Sequence, residues 1–311
     1  MTKNFASEAR SAPTSPPAPP IGGFQEVGGH RLWVHEVGSG GPAVVFLPGA
    51  GASGLDYLAA QQGVSEFCTA LVYDRGGSGY SDRVPLPRTA SAVAEELREL
   101  LRALDLAGPY ILVAHSLGGA YAHRFAQLYP HDVAGLVWLD GFHRDWDTFM
   151  PTAASPAAGG QTELVLEKTR AMRPALRAMF TELVAGYPEQ LQQPLIDAHL
   201  SDEWLRVGIV ERGTLVALAD ELRGGPGLPD VPLIAITAEG VDPGPQAQIP
   251  EQALRAIHEG MRKMAAAVAG SVTSGEHRVV SGVGHLQLCF THADIVVGAV
   301  LDVVDRVTRA A

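Results

Sequence analysis

Short apolar segments alternate with longer amphipathic segments along most of the chain. His30–Val37 has the composition of a strand, and further strands are predicted at six apolar runs: Ala43–Leu47, Thr69–Tyr73, Tyr110–Ala114, Val133–Leu139, Leu233–Thr237 and His277–Val280. Such short, apolar strands are typical of a mostly parallel sheet that helices cover on both faces. Because ligands bind these sheets at the carboxyl ends of the strands, we expect the functional residues directly after these runs.

Amphipathic helices are predicted between and after the strands. Thr89–Leu106 carries leucines at helical spacing, and Thr89 or Ser91 is a candidate N-cap. Further helices are expected at Leu117–Leu128 and Ala293–Arg309. The alternation of strands and helices predicts right-handed βαβ units.

The composition changes along the chain and divides it into four regions. Residues 1–22 are rich in Pro, Ser and Ala and are predicted to be a disordered tail. Residues 23–140 and 230–311 carry the strands and form two parts of one α/β core. Residues 141–229 contain no clear strand, and we expect a helical cap there, with helices at Glu163–Met179 and Thr181–His199 and a Gly/Pro-containing break at Pro151–Gly160.

Composition and charge exclude several classes of function. Hydrophobic residues make up 46% of the 311 residues, and 23 Lys and Arg against 34 Asp and Glu give a net charge of −11. An acidic chain without clustered cations disfavours nucleic-acid binding. The absence of a long apolar run or an apolar signal segment predicts a cytoplasmic protein that does not bind membranes. Two cysteines cannot build a disulfide framework, no zinc-type spacing is present, and neither a metal nor a cofactor is expected.

One pentapeptide carries the strongest chemical signal. Ala114-His115-Ser116-Leu117-Gly118 follows a predicted strand and opens a predicted helix, which is the setting of a G-x-S-x-G nucleophile elbow with Ala in place of the first Gly. The sharp turn requires small residues two positions before and after the serine, and Ala114 and Gly118 meet that demand. Ser116 is therefore the candidate nucleophile, whereas His115 is expected to point away from it.

A serine hydroxyl needs a general base, and an acid must orient that base. His285 follows the last predicted strand in a glycine-containing loop, which makes it a better candidate base than His277 or His292. Asp140 and Asp242 each follow a strand between Ser116 and His285. The order Ser…Asp…His holds for either aspartate, so both remain candidates for the acid.

Several motifs together resemble the α/β-hydrolase superfamily. They are FLPGAG at Phe46–Gly51, YDRGGSGYSD at Tyr73–Asp82, VAHSLGG at Val113–Gly119, GLVWLD at Gly135–Asp140 and SGVGHL at Ser281–Leu286. The resemblance implies an α/β-hydrolase fold: a mostly parallel eight-stranded sheet flanked by helices, with a helical cap inserted after the sixth strand. It also implies a Ser-His-acid triad.

The resemblance assigns further residues to the site. In this superfamily the acid usually follows the seventh strand, which is Asp242 here, but some members use the sixth-strand position, Asp140. The unusual sequence before Asp242 favours Asp140. The backbone amides of Ala50 and Leu117 are expected to form the oxyanion hole, although Pro48 stands where a histidine is usual.

The expected activity is hydrolysis of an ester, lactone or similar small acyl compound. An Asp nucleophile, as in epoxide hydrolases and haloalkane dehalogenases of this fold, is excluded because Ser116 occupies that position. The chain leaves the sixth strand above the serine, and the residues that follow include Phe142, Trp146 and Met150. These side chains are predicted to make the pocket apolar, so a hydrophobic small molecule is the expected partner. The alternative is a non-hydrolytic ligand-binding or biosynthetic protein on the same fold. The sequence leaves the oligomeric state open.

Overall fold

Residues 18–150 and 162–310 are described in the computed structural model of the chain. The first seventeen residues of the predicted tail and the predicted break at Pro151–Gly160 lie outside the described residues. Within the rest of that tail, Ile21 packs against the core and its carbonyl accepts a hydrogen bond from Trp33 Nε1 at 2.8 Å.

A single eight-stranded sheet forms the centre of the molecule. Its spatial order is β1-β2-β4-β3-β5-β6-β7-β8, and β2 runs antiparallel to both of its neighbours while the remaining pairs are parallel. The strands are Gly23–Val27 (β1), His30–Val37 (β2), Val44–Leu47 (β3), Ala70–Tyr73 (β4), Tyr110–His115 (β5), Val133–Leu139 (β6), Leu233–Glu239 (β7) and Gly275–Ser281 (β8). The mostly parallel eight-stranded sheet expected from the sequence is confirmed.

Helices connect the strands and fill the interval between β6 and β7. In chain order they are Leu58–Val64 (α1), Ala90–Ala103 (α2), Gly118–Leu128 (α3), Trp146–Phe149 (α4), Thr162–Ala171 (α5), Arg173–Leu183 (α6), Glu189–His199 (α7), Asp202–Arg212 (α8), Leu215–Arg223 (α9), Glu251–Ala269 (α10), Gln287–Phe290 (α11) and Ala293–Ala310 (α12). Thr89 caps α2, since its side chain accepts from the Ala92 amide at 3.1 Å. No helix within the described ranges is long and apolar enough to cross a bilayer.

Two apolar cores lie on the two faces of the sheet. Residues of α1 and α12 pack with strand residues such as Phe46 and Val113 on one face. Residues of α2, α3 and α10 pack with Leu47 and Ala114 on the other face. The central strands β3, β4 and β5 are buried along their whole length, which explains why they read as continuous apolar runs.

The segment between β6 and β7 is helical where it is described. Helices α4 to α9 occupy it, and α5 packs against both α6 and α8. The helix predicted at Glu163–Met179 is divided at Met172, where α5 ends and α6 begins, and the one predicted at Thr181–His199 is interrupted between Leu183 and Glu189. Val207 and Gly208 of α8 and Leu218 and Leu222 of α9 are buried, so these helices pack onto the rest of the molecule.

Candidate active site

Ser116 occupies a sharp turn between β5 and α3. Its φ is +52°, a left-handed conformation that a non-glycine residue adopts only under constraint. The Ser116 amide donates to the Leu139 carbonyl at 3.0 Å, and the Phe142 amide donates to the Ser116 carbonyl at 2.8 Å. A Cβ at Gly118 would lie 2.0 Å from the Leu47 carbonyl oxygen. Gly118 therefore allows β3 and the elbow to approach each other closely.

The structure brings His285 and Asp140 together. His285 lies in the loop after β8, and its Nδ1 is 3.0 Å from Asp140 Oδ2. The second carboxylate oxygen of Asp140 accepts the Ala238 amide at 3.0 Å, and the Asp140 amide donates to the Ile236 carbonyl at 2.9 Å. The Asp140 side chain is only 2% exposed, each of its carboxylate oxygens has one hydrogen-bond partner, and its backbone amide is fixed by the third bond.

The environment of His285 favours the protonated ring. Burial opposes the charged form, but the hydrogen bond to Asp140 and the negative charges of Asp140 and Asp242 outweigh that effect and raise the pKa of His285 above its ordinary value. Ser116 and His285 line the same cavity. The Ser116 hydroxyl has no hydrogen-bond partner among the described residues. The hydrogen bond between a nucleophile and its base is often long before substrate binds.

Asp242 contacts the loop of His285 but not its ring. The Asp242 carboxylate accepts the backbone amide of Leu286 at 2.9 Å and that of Gln287 at 3.1 Å, at the start of the short helix α11. A Cβ at Gly284 would lie 2.2 Å from Asp242 Oδ1. Of the two aspartates considered from the sequence, Asp140 is therefore the one beside the imidazole, while Asp242 holds the loop that carries it.

The amides of Ala50 and Leu117 are available to a ligand. Ala50 follows β3, Leu117 precedes α3, and both residues line the cavity with Ser116. Neither amide donates a hydrogen bond to an acceptor in the described part of the chain. A Cβ at Gly49 would lie 3.1 Å from Ser116 Cβ, so the loop that carries Ala50 packs directly against the elbow. This arrangement suits the binding of a developing oxyanion.

Arg75 holds the loop of Ala50 in the absence of the usual histidine. The buried Arg75 guanidinium donates to the carbonyls of Pro48 and Gly49 at 2.9 and 2.8 Å. Its Nε donates at 2.7 Å to Oε1 of the buried Glu211 in α8, and Glu211 Oε2 accepts the Gly51 amide at 2.8 Å. One buried ion pair thus connects a helix of the insertion to the loop after β3.

His115 supports the same loop from below the elbow. Its Nδ1 is 2.8 Å from the Tyr57 hydroxyl, which also accepts the Gly49 amide at 3.3 Å. Burial and the nearby His285 ring lower the pKa of His115 well below its ordinary value, so this ring is neutral. His115 is consequently a supporting residue, and its ring also lies against that of His285, with centroids 4.3 Å apart.

The site opens into a cavity of about 280 Å³. The predicted pocket residues Phe142, Trp146 and Met150 all line it. Further apolar residues of its wall come from α9 and α10: Leu215, Ile257, Met261 and Met264. The polar side chains Gln246, His258 and Arg212 also reach the wall, so the cavity is apolar over much of its surface but not throughout.

Some of these residues were not anticipated from the sequence. Arg75 lies inside the motif Tyr73–Asp82, which signalled the superfamily but gave no role to this arginine. Glu211 and Arg212 lie in the insertion, where no motif identifies them. The contribution of α10 was also missed, although its apolar spacing at Ile257, Met261 and Met264 is a helical signal that could have revealed it.

Comparison with known proteins agrees with the fold. A family model described as the alpha/beta hydrolase fold matches residues 42–190. The chain is 31% identical over 137 residues to the uncharacterized protein YqjL of Bacillus subtilis, a match that covers 44% of this chain and 54% of YqjL. It is 36% identical over 106 residues to the putative carbamate hydrolase RutD of Cronobacter turicensis, covering 33% of this chain and 39% of that protein. The chain thus spans about half or less of the length of these curated relatives.

Solved structures extend the similarity over most of the chain. A thermophilic esterase from Thermogutta terrifontis superimposes with a TM-score of 0.60 at 19% identity, covering 91% of this chain and 98% of the esterase. An identity this low establishes the fold alone. The sheet order, the strained serine turn and the matched motifs together define a protein with the α/β-hydrolase fold. The family model and the superimposed structure agree on this fold.

Proposed function

We propose that this protein is a serine hydrolase that cleaves an ester, lactone or similar small acyl compound through an acyl-enzyme at Ser116. In this proposal Ser116 is the nucleophile, His285 the general base and Asp140 the residue that orients and charge-stabilises the imidazole. The amides of Ala50 and Leu117 bind the oxyanion, and Phe142, Trp146 and Met150 contact an apolar part of the substrate.

The reaction begins when the Ser116 oxygen bonds to the acyl carbon and its proton passes to His285 Nε2. The carbonyl oxygen becomes negatively charged, and two amides directed at such a charge stabilise it by about 2.7–4 kcal/mol each in comparable sites. Collapse of the intermediate breaks the bond to the leaving alcohol, which takes the proton from His285. Asp140 holds Nδ1 throughout, so Nε2 is the nitrogen that faces the reaction.

Water completes the cycle. It gives a proton to His285 as its oxygen bonds to the acyl carbon, and the second intermediate then releases the carboxylic acid as the Ser116 oxygen regains a proton from His285. No metal or cofactor is required for any of these steps.

One observation carries the proposal. The 3.0 Å contact between His285 Nδ1 and Asp140 Oδ2 occurs at the cavity into which a serine with φ of +52° projects. A serine in an ordinary glycine-rich turn needs neither the strained backbone nor an imidazole paired with a buried carboxylate in the same cavity. The esterase and hydrolase names of the similar proteins support the same class of reaction.

Covalent labelling tests the proposal directly. A fluorophosphonate probe should modify the wild-type protein at Ser116, located by peptide mass spectrometry, and should not modify Ser116→Ala. A 4-nitrophenyl ester should be cleaved, and the Ser116→Ala variant should fold normally but lose several orders of magnitude in kcat/KM. An unlabelled wild-type protein that cleaves no ester would instead favour a binding or non-hydrolytic protein.

A further inference from the structure

Arg212 lies at the boundary between two cavities. It is in the last turn of α8 and lines both the cavity of Ser116 and a neighbouring cavity of about 210 Å³. Ala50, whose amide is a proposed oxyanion donor, also lines both cavities. A molecule bound at Ser116 can therefore extend past Ala50 and reach the Arg212 guanidinium.

A contact between two glycines brings Arg212 close to the loop of Ala50. A Cβ at Gly208 would lie 3.2 Å from Gly51 Cα and 3.3 and 3.4 Å from the two terminal guanidinium nitrogens of Arg212. The guanidinium thus lies over the point where α8 meets the loop of Ala50. A Cβ at Gly51 would lie 2.8 Å from Gly208 Cα, so the absence of a side chain at Gly51 permits this approach.

Arg212 has no partner for its charge in the described ranges 18–150 and 162–310. Its nitrogens form neither an ion pair nor a hydrogen bond there, whereas the adjacent Glu211 is already occupied by Arg75 and the Gly51 amide. The carboxylates that line the two cavities are also engaged. Asp140 contacts His285 at 3.0 Å, and Asp56 contacts His199 at 2.9 Å. The group formed by Arg75, Glu211 and Arg212 therefore carries one excess positive charge.

The surroundings of this guanidinium favour binding of an anion. Arg212 is exposed, so a ligand in the cavities can reach its guanidinium, and desolvation by the surrounding protein lowers its pKa while Glu211 offsets part of that effect. An arginine stays protonated under such conditions. An unpaired guanidinium that lines a cavity gains a charge-assisted, bidentate hydrogen bond when a carboxylate arrives.

We infer that Arg212 binds a carboxylate of the substrate, so that the natural substrate combines an apolar part with one anionic group. This inference rests on the proposed function and refines its substrate class. A single excess positive charge matches the single charge of a carboxylate better than the nearly double charge of a phosphate monoester. The apolar wall at Phe142 and Trp146 then receives the body of the molecule, and Arg212 selects among apolar compounds those that carry the acid.

Two pairs of matched esters test the inference, one for each side of the scissile bond. On the acyl side, 4-nitrophenyl hexanoate is compared with the 4-nitrophenyl monoester of adipic acid, in which a carboxylate replaces the terminal methyl group. On the alcohol side, 4-methylphenyl acetate is compared with 4-carboxyphenyl acetate. Intrinsic reactivity cancels when the carboxylate-to-methyl ratio of kcat/KM is compared between the wild-type protein and a variant.

Arg212→Met should lower that ratio by about 10- to 100-fold for at least one pair, which is the effect of losing a hydrogen bond to a charged group. In Arg212→Met, kcat/KM for the methyl-bearing member of each pair should change by less than about threefold. Arg212→Lys should keep part of the preference for the carboxylate member because it keeps the charge. Arg206→Met is the matched control, since Arg206 is on the same helix but lines neither cavity. Unchanged ratios for both pairs, or equal losses for both members of each pair, would overturn the inference.

A binding measurement separates this inference from the proposed function. Ser116→Ala is titrated with the same two aryl acetates, and with methyl hexanoate and the monomethyl ester of adipic acid. The inference is supported if Ser116→Ala binds the carboxylate member of a pair more tightly than the methyl member and the double variant Ser116→Ala/Arg212→Met does not. This result would support it even if the wild-type protein cleaves no ester. Equal binding of both members of each pair, unaffected by the change at Arg212, would refute it even if Ser116 proves to be a working nucleophile.

Discussion

Asp140 and Asp242 both contact the loop of His285, but they contact different atoms of it. Asp140 accepts a hydrogen bond at the imidazole itself, which fixes the tautomer that leaves Nε2 free to take a proton. Asp140→Asn keeps the shape but loses the charge, so kcat should fall by about four orders of magnitude, as in comparable triads. Stopped assays over long incubations, with thermal unfolding to verify the fold, measure this effect.

Asp242→Asn is the matched comparison for Asp140→Asn. Asp242 holds the backbone amides of Leu286 and Gln287, and an asparagine oxygen can still accept one of them. We expect a loss of about tenfold or less in kcat, with a measurable decrease in melting temperature. The opposite ranking of the two variants would exchange their roles, and equally mild losses would argue against an aspartate in the catalytic set.

The raised pKa of His285 predicts the pH dependence. In the proposed mechanism the neutral ring is the base, so kcat/KM should fall as the pH drops through the pKa of His285, and the midpoint should lie above the ordinary value of about 6.5. Asp140→Asn removes a hydrogen bond and a charge that raise this pKa, while burial continues to lower it. Its residual activity should therefore have a midpoint at lower pH. A midpoint that moves upward in this variant would contradict the electrostatic role of Asp140.

At the scale of elements, α8 and the loop after β3 depend on each other through Arg75 and Glu211. Glu211→Gln leaves the buried Arg75 charge without its counter-charge, and breaking such a pair costs about 3–5 kcal/mol. We expect a large decrease in the free energy of unfolding, together with a lower kcat for all esters alike, because the Ala50 amide loses its support. Glu163→Gln is the control, since the exposed pair of Glu163 with Arg206 should contribute little. Normal stability and activity in Glu211→Gln would show that the loop after β3 keeps its conformation without the ion pair.

The sequence allowed the central elements to be predicted better than the peripheral ones. Strands β3 to β6 are buried on both faces and therefore read as apolar runs, and the Val133–Leu139 prediction is identical to the observed strand. The edge strand Gly23–Val27 is largely exposed and gives no such signal. Within the insertion, helices pack by contacts with each other and with the core. Their breaks, such as the one at Met172, depend on tertiary structure that local periodicity does not contain.

In the candidate site too, the sequence predicted some residues and missed others, and the difference depends on the folding of the whole molecule. Ser116 and His285 could be found because each follows a strand in a recognisable local sequence. Arg212 and Glu211 could not be found in this way, since their roles arise only when α8 packs against Gly51, more than a hundred residues earlier in the chain. The wall from α10 likewise joins the wall from α4 only in the folded molecule. Residues that act through local backbone geometry are thus readable from sequence, whereas those that shape the cavity require the structure.

Because the cavity is closed by elements from both the insertion and the core, its apolar wall should determine which substrates fit. Trp146 is 5% exposed, lies in α4, lines the cavity and packs near Phe142 with ring centroids 6.3 Å apart. Trp146→Ala removes apolar contact from long or aromatic acyl chains but little from an acetyl group. KM for 4-nitrophenyl octanoate should therefore rise roughly tenfold relative to 4-nitrophenyl acetate, which corresponds to about 1.4 kcal/mol of apolar contact.

Phe149→Ala is the matched control for Trp146→Ala. Phe149 lies in the same short helix and packs against His143 with ring centroids 5.5 Å apart, but it does not line the cavity. It should lower stability without changing the ratio of KM values between the octanoate and the acetate, and fluorophosphonate labelling of Ser116 should persist in both variants. If Trp146→Ala and Phe149→Ala leave the ratio equally unchanged, α4 does not contact the substrate, and the limit on acyl size must come from Leu215, Ile257 and Met261 on the other side of the cavity.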